Sequence, residues 1–300
     1  MSQPPVKRCA VLGSPISHSK SPQLHAAAYE YLGSDIDYGR IELQAEQAGD
    51  FLCESAGDYT GFSVTMPLKA IMVGQMTTVS ERVRTLGVLN TITVEHGDAG
   101  PPALRGENTD VDGITGALRE AGLRDSGSGS FAVIGAGATA AAALAAAAEL
   151  GFSTAQVYAR SPQRAASSAP LARRLGLQVE IRSLDQLPGD LSDPSGPSDA
   201  AVSAVVSTLP PRAADSLAAE LRPFEHAIPL LDVAYDPWPS ALGASWEAAG
   251  GAVVSGLQML LHQAVKQVEI FTESTSRPAA QLSGAEHAEL IARMRAALDL

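Results

Sequence analysis

The sequence predicts an α/β protein of two domains, in which strands alternate with helices. Three observations support this fold class. Short β-branched runs alternate with longer helical stretches, which is typical of βαβ units around a parallel sheet. The chain has 300 residues, and one domain usually holds roughly 100–200. The stretch Asp125–Ser130, made of serine and glycine after its first residue, is flexible by composition and separates two blocks of alternation.

The first block begins with a predicted strand at Arg8–Leu12 and a loop over residues 13–21. A helix follows at Pro22–Leu32, with proline in its first turn. The other elements predicted in this block are strands at Asp37–Leu43, Gly61–Thr65, Leu89–Glu95 and Leu104–Gly106, and helices at Ala45–Ala56 and Val111–Ala121.

The second block repeats the alternation after the serine-glycine stretch. Its predicted elements are strands at Phe131–Ile134, Ala155–Ala159, Gln178–Ile181, Ala204–Ser207, Ala227–Val233 and Val253–Val254, and helices at Thr139–Leu150 and Gln163–Leu175. The segment Leu187–Ala200 is rich in Pro, Gly, Ser and Asp, which predicts a surface loop. Two amphipathic helices are predicted after the last strand, at Leu257–Phe271 and Gly284–Leu298.

Composition excludes several classes of partner. The net charge of −12 argues against nucleic acid, because phosphate contacts require a basic surface. No stretch has the ~20 strongly apolar residues that cross a membrane, and no histidine spacing indicates a metal site. The two cysteines are too few to form a disulfide framework, so we expect a reduced, cytoplasmic protein. The sequence leaves a monomer and a homodimer open.

A glycine-rich turn follows the first strand of the second block. Gly135-Ala-Gly137-Ala-Thr-Ala140 fits the dinucleotide-binding pattern G-x-G-x-x-G/A between a strand and a helix. Gly135 permits the tight turn, Gly137 lets the backbone approach a pyrophosphate, and Ala140 lets the helix pack closely. Taken alone, the motif also fits an S-adenosylmethionine methyltransferase or a purely structural turn.

The end of the next strand favours NADP over NAD. An NAD enzyme usually has an acidic residue there for the ribose hydroxyls. This chain has Arg160, Ser161 and Arg164 instead, and a guanidinium group suits a 2′-phosphate. The alternative is that both arginines are ordinary surface residues.

Polar residues follow several strands of the first block. Ser19 and Ser21 precede a helix and could both donate to one carboxylate, although either could simply cap that helix. Lys69, one of only four lysines, follows the third strand, and Asn90 and Asp110 stand at two further strand ends. Grouped beside a nucleotide domain, these side chains predict an active site. We interpret the nearby His18 and His25 as loop structure and helix packing.

These segments resemble the shikimate dehydrogenase family over nearly the whole chain. The matching motifs are GSPISHSKSP at residues 13–22, VTMPLK at 64–69, Asn90-Thr91, Asn-Thr-Asp at 108–110, the glycine turn, and GLQMLLHQ at 256–263. The resemblance implies reversible, NADP-linked reduction of 3-dehydroshikimate to shikimate, a step of chorismate and aromatic amino-acid biosynthesis.

The resemblance also assigns roles to individual residues. Lys69 and Asp110 match the catalytic pair, and Ser19 and Ser21 match the serines that hold the substrate carboxylate. The groups matched to the ring hydroxyls and their pocket are Thr65, Asn90, Gln263 and Tyr235. The cofactor residues matched are Gly135, Ala136, Gly137, Ala138 and Thr139 at the pyrophosphate, Arg160, Ser161 and Arg164 at the 2′-phosphate, and Gly256 near the nicotinamide.

The implied architecture is a substrate-binding and catalytic domain at 1–112 plus 257–300, and a Rossmann-like NADP-binding domain at 113–256. The C-terminal helices would thus return to the first domain. The chain departs from the family pattern at Ser63, Ala159, Ser207 and Gln258. A quinate/shikimate dehydrogenase, an aminoshikimate dehydrogenase and a non-catalytic NADP sensor remain alternatives.

Overall fold

The computed structural model describes residues 7–97, 100–123, 129–192 and 201–300. The chain divides into two compact units, Met1–Thr109 with Gln263–Leu300, and Asp110–His262. Most of the predicted linker, residues 125–128, lies outside the described residues. The assignment of substrate and cofactor to the two units stays a prediction.

The first unit contains a mixed six-stranded sheet with the order β2-β1-β3-β5-β6-β4. Its strands are β1 (Lys7–Gly13), β2 (Ile36–Glu42), β3 (Gly61–Val64), β4 (Thr78–Val79), β5 (Thr91–Glu95) and β6 (Ala103–Glu107). β1 pairs in parallel with β2 and β3, whereas β5 is antiparallel to β3 and β6. The expectation of a parallel sheet is therefore wrong here, because a short connection between β5 and β6 allows only antiparallel pairing.

The second unit contains a six-stranded sheet with the order β12-β11-β10-β7-β8-β9, and all its pairs are parallel. Its strands are β7 (Ser130–Ile134), β8 (Thr154–Ala159), β9 (Gln178–Ser183), β10 (Val202–Ser207), β11 (Pro229–Asp232) and β12 (Ala252–Ser255). This is the doubly wound order of dinucleotide-binding folds. The strand order reverses between β7 and β10, so the glycine turn after β7 lies where such folds bind their ligand.

The helices mostly follow the predicted pattern. They are α1 (Ser21–Leu32), α2 (Ala48–Ser55), α3 (Glu81–Leu86), α4 (Asp110–Glu120), α5 (Ala138–Glu149), α6 (Pro162–Ala165), α7 (Ser168–Arg174), α8 (Leu187–Ser192), α9 (Asp215–Ala218), α10 (Ala241–Ala248), α11 (Gly256–Phe271) and α12 (Gly284–Ala296). The single helix predicted at Gln163–Leu175 is two short helices. Part of the loop predicted at Leu187–Ala200 is helical, because Leu184, Leu187 and Leu191 form one buried face; residues 193–200 lie outside the described residues.

α12 and the part of α11 from Gln263 onward belong to the first unit, which confirms the predicted return of the C-terminal helices to it. α12 packs against α1, with Leu290 and Met294 fully buried. The end of α11 packs on β3 so closely that a Cβ on Gly61 would lie 2.5 Å from the ring of Phe271. Gly61 is therefore the residue that lets this helix approach the sheet.

Candidate active site

The serine-rich loop lies between β1 and the start of α1. Ser21 is buried as the first residue of α1, and its backbone N–H donates to Ser19 Oγ at 3.3 Å. Lys20 occupies the N-cap position and no side chain caps the helix, so neither serine acts as its N-cap. Arg40 on β2 donates from Nε and Nη2 to the Ser19 carbonyl oxygen, at 3.1 and 2.6 Å. Arg40 thus restrains the loop backbone, a role that an exposed strand position did not reveal in the sequence.

The loop after β3 carries Thr65 and Lys69 and lies against the serine-rich loop. Thr65 donates its backbone N–H to Leu12 at 2.9 Å, and a Cβ on Gly13 would lie 2.9 Å from the carbonyl oxygen of Met66. Gly13 therefore permits the two loops to approach each other. The half-buried Lys69 accepts a hydrogen bond at its backbone oxygen from Leu89, 2.9 Å away, which ties its loop to the segment leading to Asn90.

Asn90 and Gln263, both predicted to hold ring hydroxyls, are brought together by the fold. Both are buried, and Asn90 Nδ2 donates to Gln263 Oε1 at 3.3 Å and to Thr109 Oγ1 at 3.0 Å. Asn90 Oδ1 accepts from the Thr109 backbone N–H at 2.7 Å and from Thr91 Oγ1 at 2.9 Å. These hydrogen bonds fix the rotation of the Asn90 side-chain amide, with its nitrogen toward Gln263 and its oxygen toward the Thr109 backbone.

Sequence reasoning missed Gln267, which lies one turn after Gln263 on α11 and is 1 % exposed. Its Nε2 donates to the Asn90 carbonyl at 3.1 Å and to Thr91 Oγ1 at 3.0 Å. Its Oε1 accepts from Ser63 Oγ at 2.8 Å and from His25 Nε2 at 3.3 Å. The available signal was two glutamines spaced by four residues on the apolar face of a helix.

His25 lies behind Gln267 and is completely buried. Burial lowers the pKa of its imidazole to about 3, so the ring is neutral. Its Nδ1 lies 2.9 Å from the Tyr29 hydroxyl, and its ring stacks on Tyr38 with centroids 3.9 Å apart. Because Gln267 Oε1 can only accept, Nε2 carries the proton and Nδ1 accepts from Tyr29. The residue packs within the unit, as expected, and also takes part in a hydrogen-bond chain.

Asp110 is the buried first residue of α4 and belongs to the second unit, whereas Lys69 belongs to the first. The pairing of Lys69 with Asp110 stays a prediction. Among the described parts of the chain, no group of three or more His, Cys, Asp or Glu residues is placed to hold a metal ion. No described helix is both long and apolar enough to cross a membrane.

The two glycines of the turn between β7 and α5 have different packing environments. Gly135 has φ +111° and its Cβ would overlap Thr208 Oγ1, so local packing requires glycine there. A Cβ on Gly137 would meet nothing within 4 Å. The exposed Ala136 and the half-buried Ala138 and Thr139 complete the turn and the start of α5, which has no acidic residue in its first turn and no side-chain cap. The turn therefore leaves room and open N–H groups for a phosphate.

The predicted 2′-phosphate residues follow β8, whose last residue is Ala159. Arg160 and Arg164 are exposed, and Ser161 is the N-cap of α6. Arg160 lines a cavity of about 270 Å³ whose other lining residues are Ser183, Leu184, Asp185, Ala213, Ser216, Leu217 and Glu220. The arginine therefore borders a cavity within its own unit.

Tyr235 and Gly256 lie beyond β11 and β12. Burial raises the pKa of Asp232 at the end of β11, where its carboxylate accepts from Ser240 Oγ at 2.6 Å and from the Ala234 backbone N–H at 3.3 Å. This carboxylate holds the loop that leads to the half-buried Tyr235. A Cβ on Gly256 would overlap the carbonyl oxygen of Val233 in the same loop, so this position requires glycine.

Comparison with known proteins matches these features to one family. Residues 11–92 match a family model described as the shikimate dehydrogenase substrate binding domain. The shikimate dehydrogenase of Mycobacterium tuberculosis is 37% identical, with 97% of this chain and 99% of that chain covered and a TM-score of 0.79. The shikimate 5-dehydrogenase of Thermus thermophilus, in complex with NADP(H) and shikimate, is 26% identical, with 96% and 99% covered and a TM-score of 0.72.

A quinate dehydrogenase from Corynebacterium glutamicum, in complex with NAD, shares the fold at 23% identity, with 98% and 99% covered and a TM-score of 0.74. The identity and full-length coverage of the mycobacterial enzyme decide the assignment. The chain belongs to the shikimate dehydrogenase family of oxidoreductases.

Proposed function

We propose that this protein catalyses the reversible, NADP-dependent reduction of 3-dehydroshikimate to shikimate. The observation that carries the proposal is the buried cluster of Asn90, Thr109 and Gln263, in the same unit as the restrained serine-rich loop. A cluster of this kind offers fixed polar groups to a small polyhydroxylated ligand. The Thermus thermophilus relative holds shikimate and NADP(H) together, which supports this pair of ligands.

The substrate has a carboxylate and ring hydroxyls, and the proposed contacts divide between them. Ser19 and Ser21 hold the carboxylate. Thr65, Asn90 and Gln263 hold the hydroxyls, and Tyr235 lines the same pocket. Because these groups are fixed by the loops and helix described above, they hold the reacting carbon in one orientation and reduce the entropy cost of reaction.

Lys69 acts as the general acid in reduction and as the general base in the reverse direction. When bound, the nicotinamide cofactor supplies the hydride. The Lys69 ammonium donates a proton to the oxygen that becomes the alcohol, and Asp110 orients the lysine and accepts a hydrogen bond from the hydroxyl group once it has formed. A proton transfer of this kind contributes ~10²–10⁴-fold to the rate.

The glycine turn and the arginines after β8 hold the cofactor. Gly137 has no packing reason to be glycine, which fits a position where the backbone must approach a pyrophosphate. Arg160 and Arg164 provide two guanidinium groups for a 2′-phosphate. Since the chain carries a net charge of −12, both anionic ligands must be held by such local groups rather than by the overall field.

Initial rates with shikimate and quinate, each with NADP and NAD, test the proposal. We expect turnover of shikimate with NADP, and a loss of about a hundredfold or more in kcat for Lys69→Ala with shikimate binding retained. Arg160→Ala should raise KM for NADP by about tenfold or more, because a charge-assisted hydrogen bond contributes about 1.5–3 kcal/mol. Arg173→Ala, an exposed arginine on α7, is the matched control.

The quinate dehydrogenase and cofactor-sensor alternatives predict different results. Preferred turnover of quinate would make the protein a quinate/shikimate dehydrogenase. Equal use of NAD and NADP by the unmodified protein would contradict the role of Arg160. Binding of NADP without any turnover would support a cofactor sensor and refute the role of Lys69.

A further inference from the structure

The Asn90 amide has its orientation set by a buried hydrogen-bond chain that starts well behind the proposed site. We propose that Gln267, supported by His25, is a positioning residue that directs the amide nitrogen of Asn90 toward Gln263, the other buried side chain assigned to the ring hydroxyls. This inference rests on the proposed function, because Asn90 is assigned there to a ring hydroxyl.

Gln267 uses its complete hydrogen-bonding capacity. An amide side chain has two N–H donors and two acceptor lone pairs. The two donors serve the Asn90 carbonyl and Thr91 Oγ1, and the carbonyl accepts from Ser63 and His25. A flipped amide would place its oxygen against the Asn90 carbonyl oxygen, which can only accept, so this contact selects the orientation described here.

The orientation passes from Gln267 to Asn90 through Thr91. Thr91 Oγ1 accepts from Gln267 Nε2, so its own proton is available for Asn90 Oδ1, which lies 2.9 Å away. The backbone N–H of Thr109 donates to the same oxygen at 2.7 Å. With two donors on Oδ1, the nitrogen of Asn90 must point to the opposite side, where Gln263 lies.

A second branch leads from Gln267 through Ser63 to Tyr38. Ser63 gives its proton to Gln267 and accepts from the Tyr38 hydroxyl at 2.6 Å. One chain of buried hydrogen bonds therefore connects Tyr38 with Asn90, and Gln267 is its branch point.

Two substitutions at Gln267 separate positioning from a general loss of packing. Gln267→Leu keeps the approximate volume and removes all four hydrogen bonds. We expect it to raise KM for shikimate about tenfold or more, with KM for NADP changed by less than about twofold. Gln267→Glu keeps an oxygen for Ser63 and His25 but places a second oxygen against the Asn90 carbonyl and Thr91 Oγ1. Protonation of that carboxyl restores one donor.

The pH profile of Gln267→Glu is the readout that a merely structural role would not change. Its kcat/KM for shikimate, relative to the unmodified protein, should rise about fivefold or more from pH 9 to about pH 6, because burial raises the pKa of a carboxyl group. The titratable groups around Gln267 are His25, Tyr29 and Tyr38. Burial lowers the pKa of His25 and raises those of both tyrosines, so all three stay neutral in this range. Gln267→Leu should show no such recovery.

Thr272→Val is the matched control. Thr272 follows α11 and is fully buried, donating to the Val268 carbonyl at 2.7 Å and accepting from the Ala279 backbone at 3.0 Å. We expect this change to lower the free energy of unfolding without altering KM for shikimate. An unchanged KM in folded Gln267→Leu, or a Gln267→Glu profile parallel to that of the unmodified protein, would overturn the proposal. Should Gln267→Leu not fold, the Gln267→Glu profile decides.

The inference can fail separately from the proposed function. An unmodified protein without activity on shikimate would refute the proposed function alone. The hydrogen-bond chain is then tested by ¹⁵N NMR of the His25 ring, which should stay neutral with its proton on Nε2 between about pH 5 and 8. A proton on Nδ1, or titration within that range, would contradict the chain itself.

Discussion

Replacing Gly256 by alanine should destabilise the second unit and disturb the proposed site together. Gly256 is the first residue of α11, and a Cβ there would overlap the Val233 carbonyl oxygen. The same Cβ would lie 2.6 Å from the Val233 carbonyl carbon and 3.0 Å from the Asp232 oxygen. All three atoms are backbone atoms, so no side-chain rotation can relieve the overlap.

The size of the effect follows from these distances. Carbon atoms in contact prefer a separation of about 3.5–4.0 Å, so the Val233 backbone must move by about 1 Å. Overpacking of this kind costs about 1–3 kcal/mol, and 1 kcal/mol lowers Tm by about 2–4 °C for a unit of 150–250 residues. The displaced loop carries Tyr235, so we also expect KM for shikimate to rise.

Gly284→Ala is a control in the same structural position. Gly284 is the first residue of α12, and a Cβ there would meet nothing within 4 Å. That substitution should be neutral or stabilise by about 0.4–1 kcal/mol, because alanine restricts the unfolded chain. Urea unfolding of both variants measures the difference. Equal stability of Gly256→Ala and Gly284→Ala would refute the reasoning.

Three further outcomes follow from single residues. Arg212 has φ +65°, a conformation that costs a non-glycine residue about 1–2 kcal/mol. Glycine adopts this conformation freely but loses more backbone entropy on folding, so Arg212→Gly should raise the free energy of unfolding by about 0.5–1 kcal/mol. A lower free energy of unfolding would contradict this. The pKa of His25 falls from 6.5 to about 3 on folding, so below pH 6.5 the unfolded chain binds a proton that the folded protein does not. The free energy of unfolding should therefore decrease by about 2 kcal/mol between pH 7 and 5. Urea unfolding of His25→Gln should show a correspondingly smaller decrease. A thiol reagent should modify the exposed Cys53 in the native protein and Cys9 only after unfolding, since Cys9 is buried and desolvation raises its pKa to about 12; rapid native modification of both would be the opposing result.

The fold was predictable wherever a strand or helix leaves its own hydrophobic pattern in a short stretch of sequence. The central strands of the second sheet are short, mostly apolar runs bounded by turn residues, and parallel strands need a crossover connection, usually a helix. β4 has two residues and leaves no periodicity to detect. The antiparallel pairing of β5 with β3 depends on which neighbour the strand finds, because the alternation of apolar residues is the same for both strand directions.

The candidate site was predictable only in part, for a related reason. Ser19, Lys69 and Asn90 stand at polar loop and strand ends that the sequence pattern marks, whereas Gln263 was predicted from the family resemblance. Arg40 acts on the Ser19 backbone, and any residue of the loop would offer the same carbonyl. A pattern search that scores side-chain types cannot find a contact whose acceptor is common to all residues.

Gln267 shows most clearly why sequence patterns alone do not reveal every residue of the candidate site. Its partner His25 lies 242 positions away along the chain, and Ser63 lies 204 positions away. Only the return of α11 to the first unit brings these groups together, and buried polar groups need partners to avoid a desolvation penalty of about 1–3 kcal/mol. A glutamine on the buried face of an amphipathic helix is therefore a signal that a polar network exists, while the identity of its partners depends on the tertiary fold. Because Ser63 donates to Gln267, replacing either residue alone by an apolar one leaves a buried polar group without this partner, so the two should be substituted together.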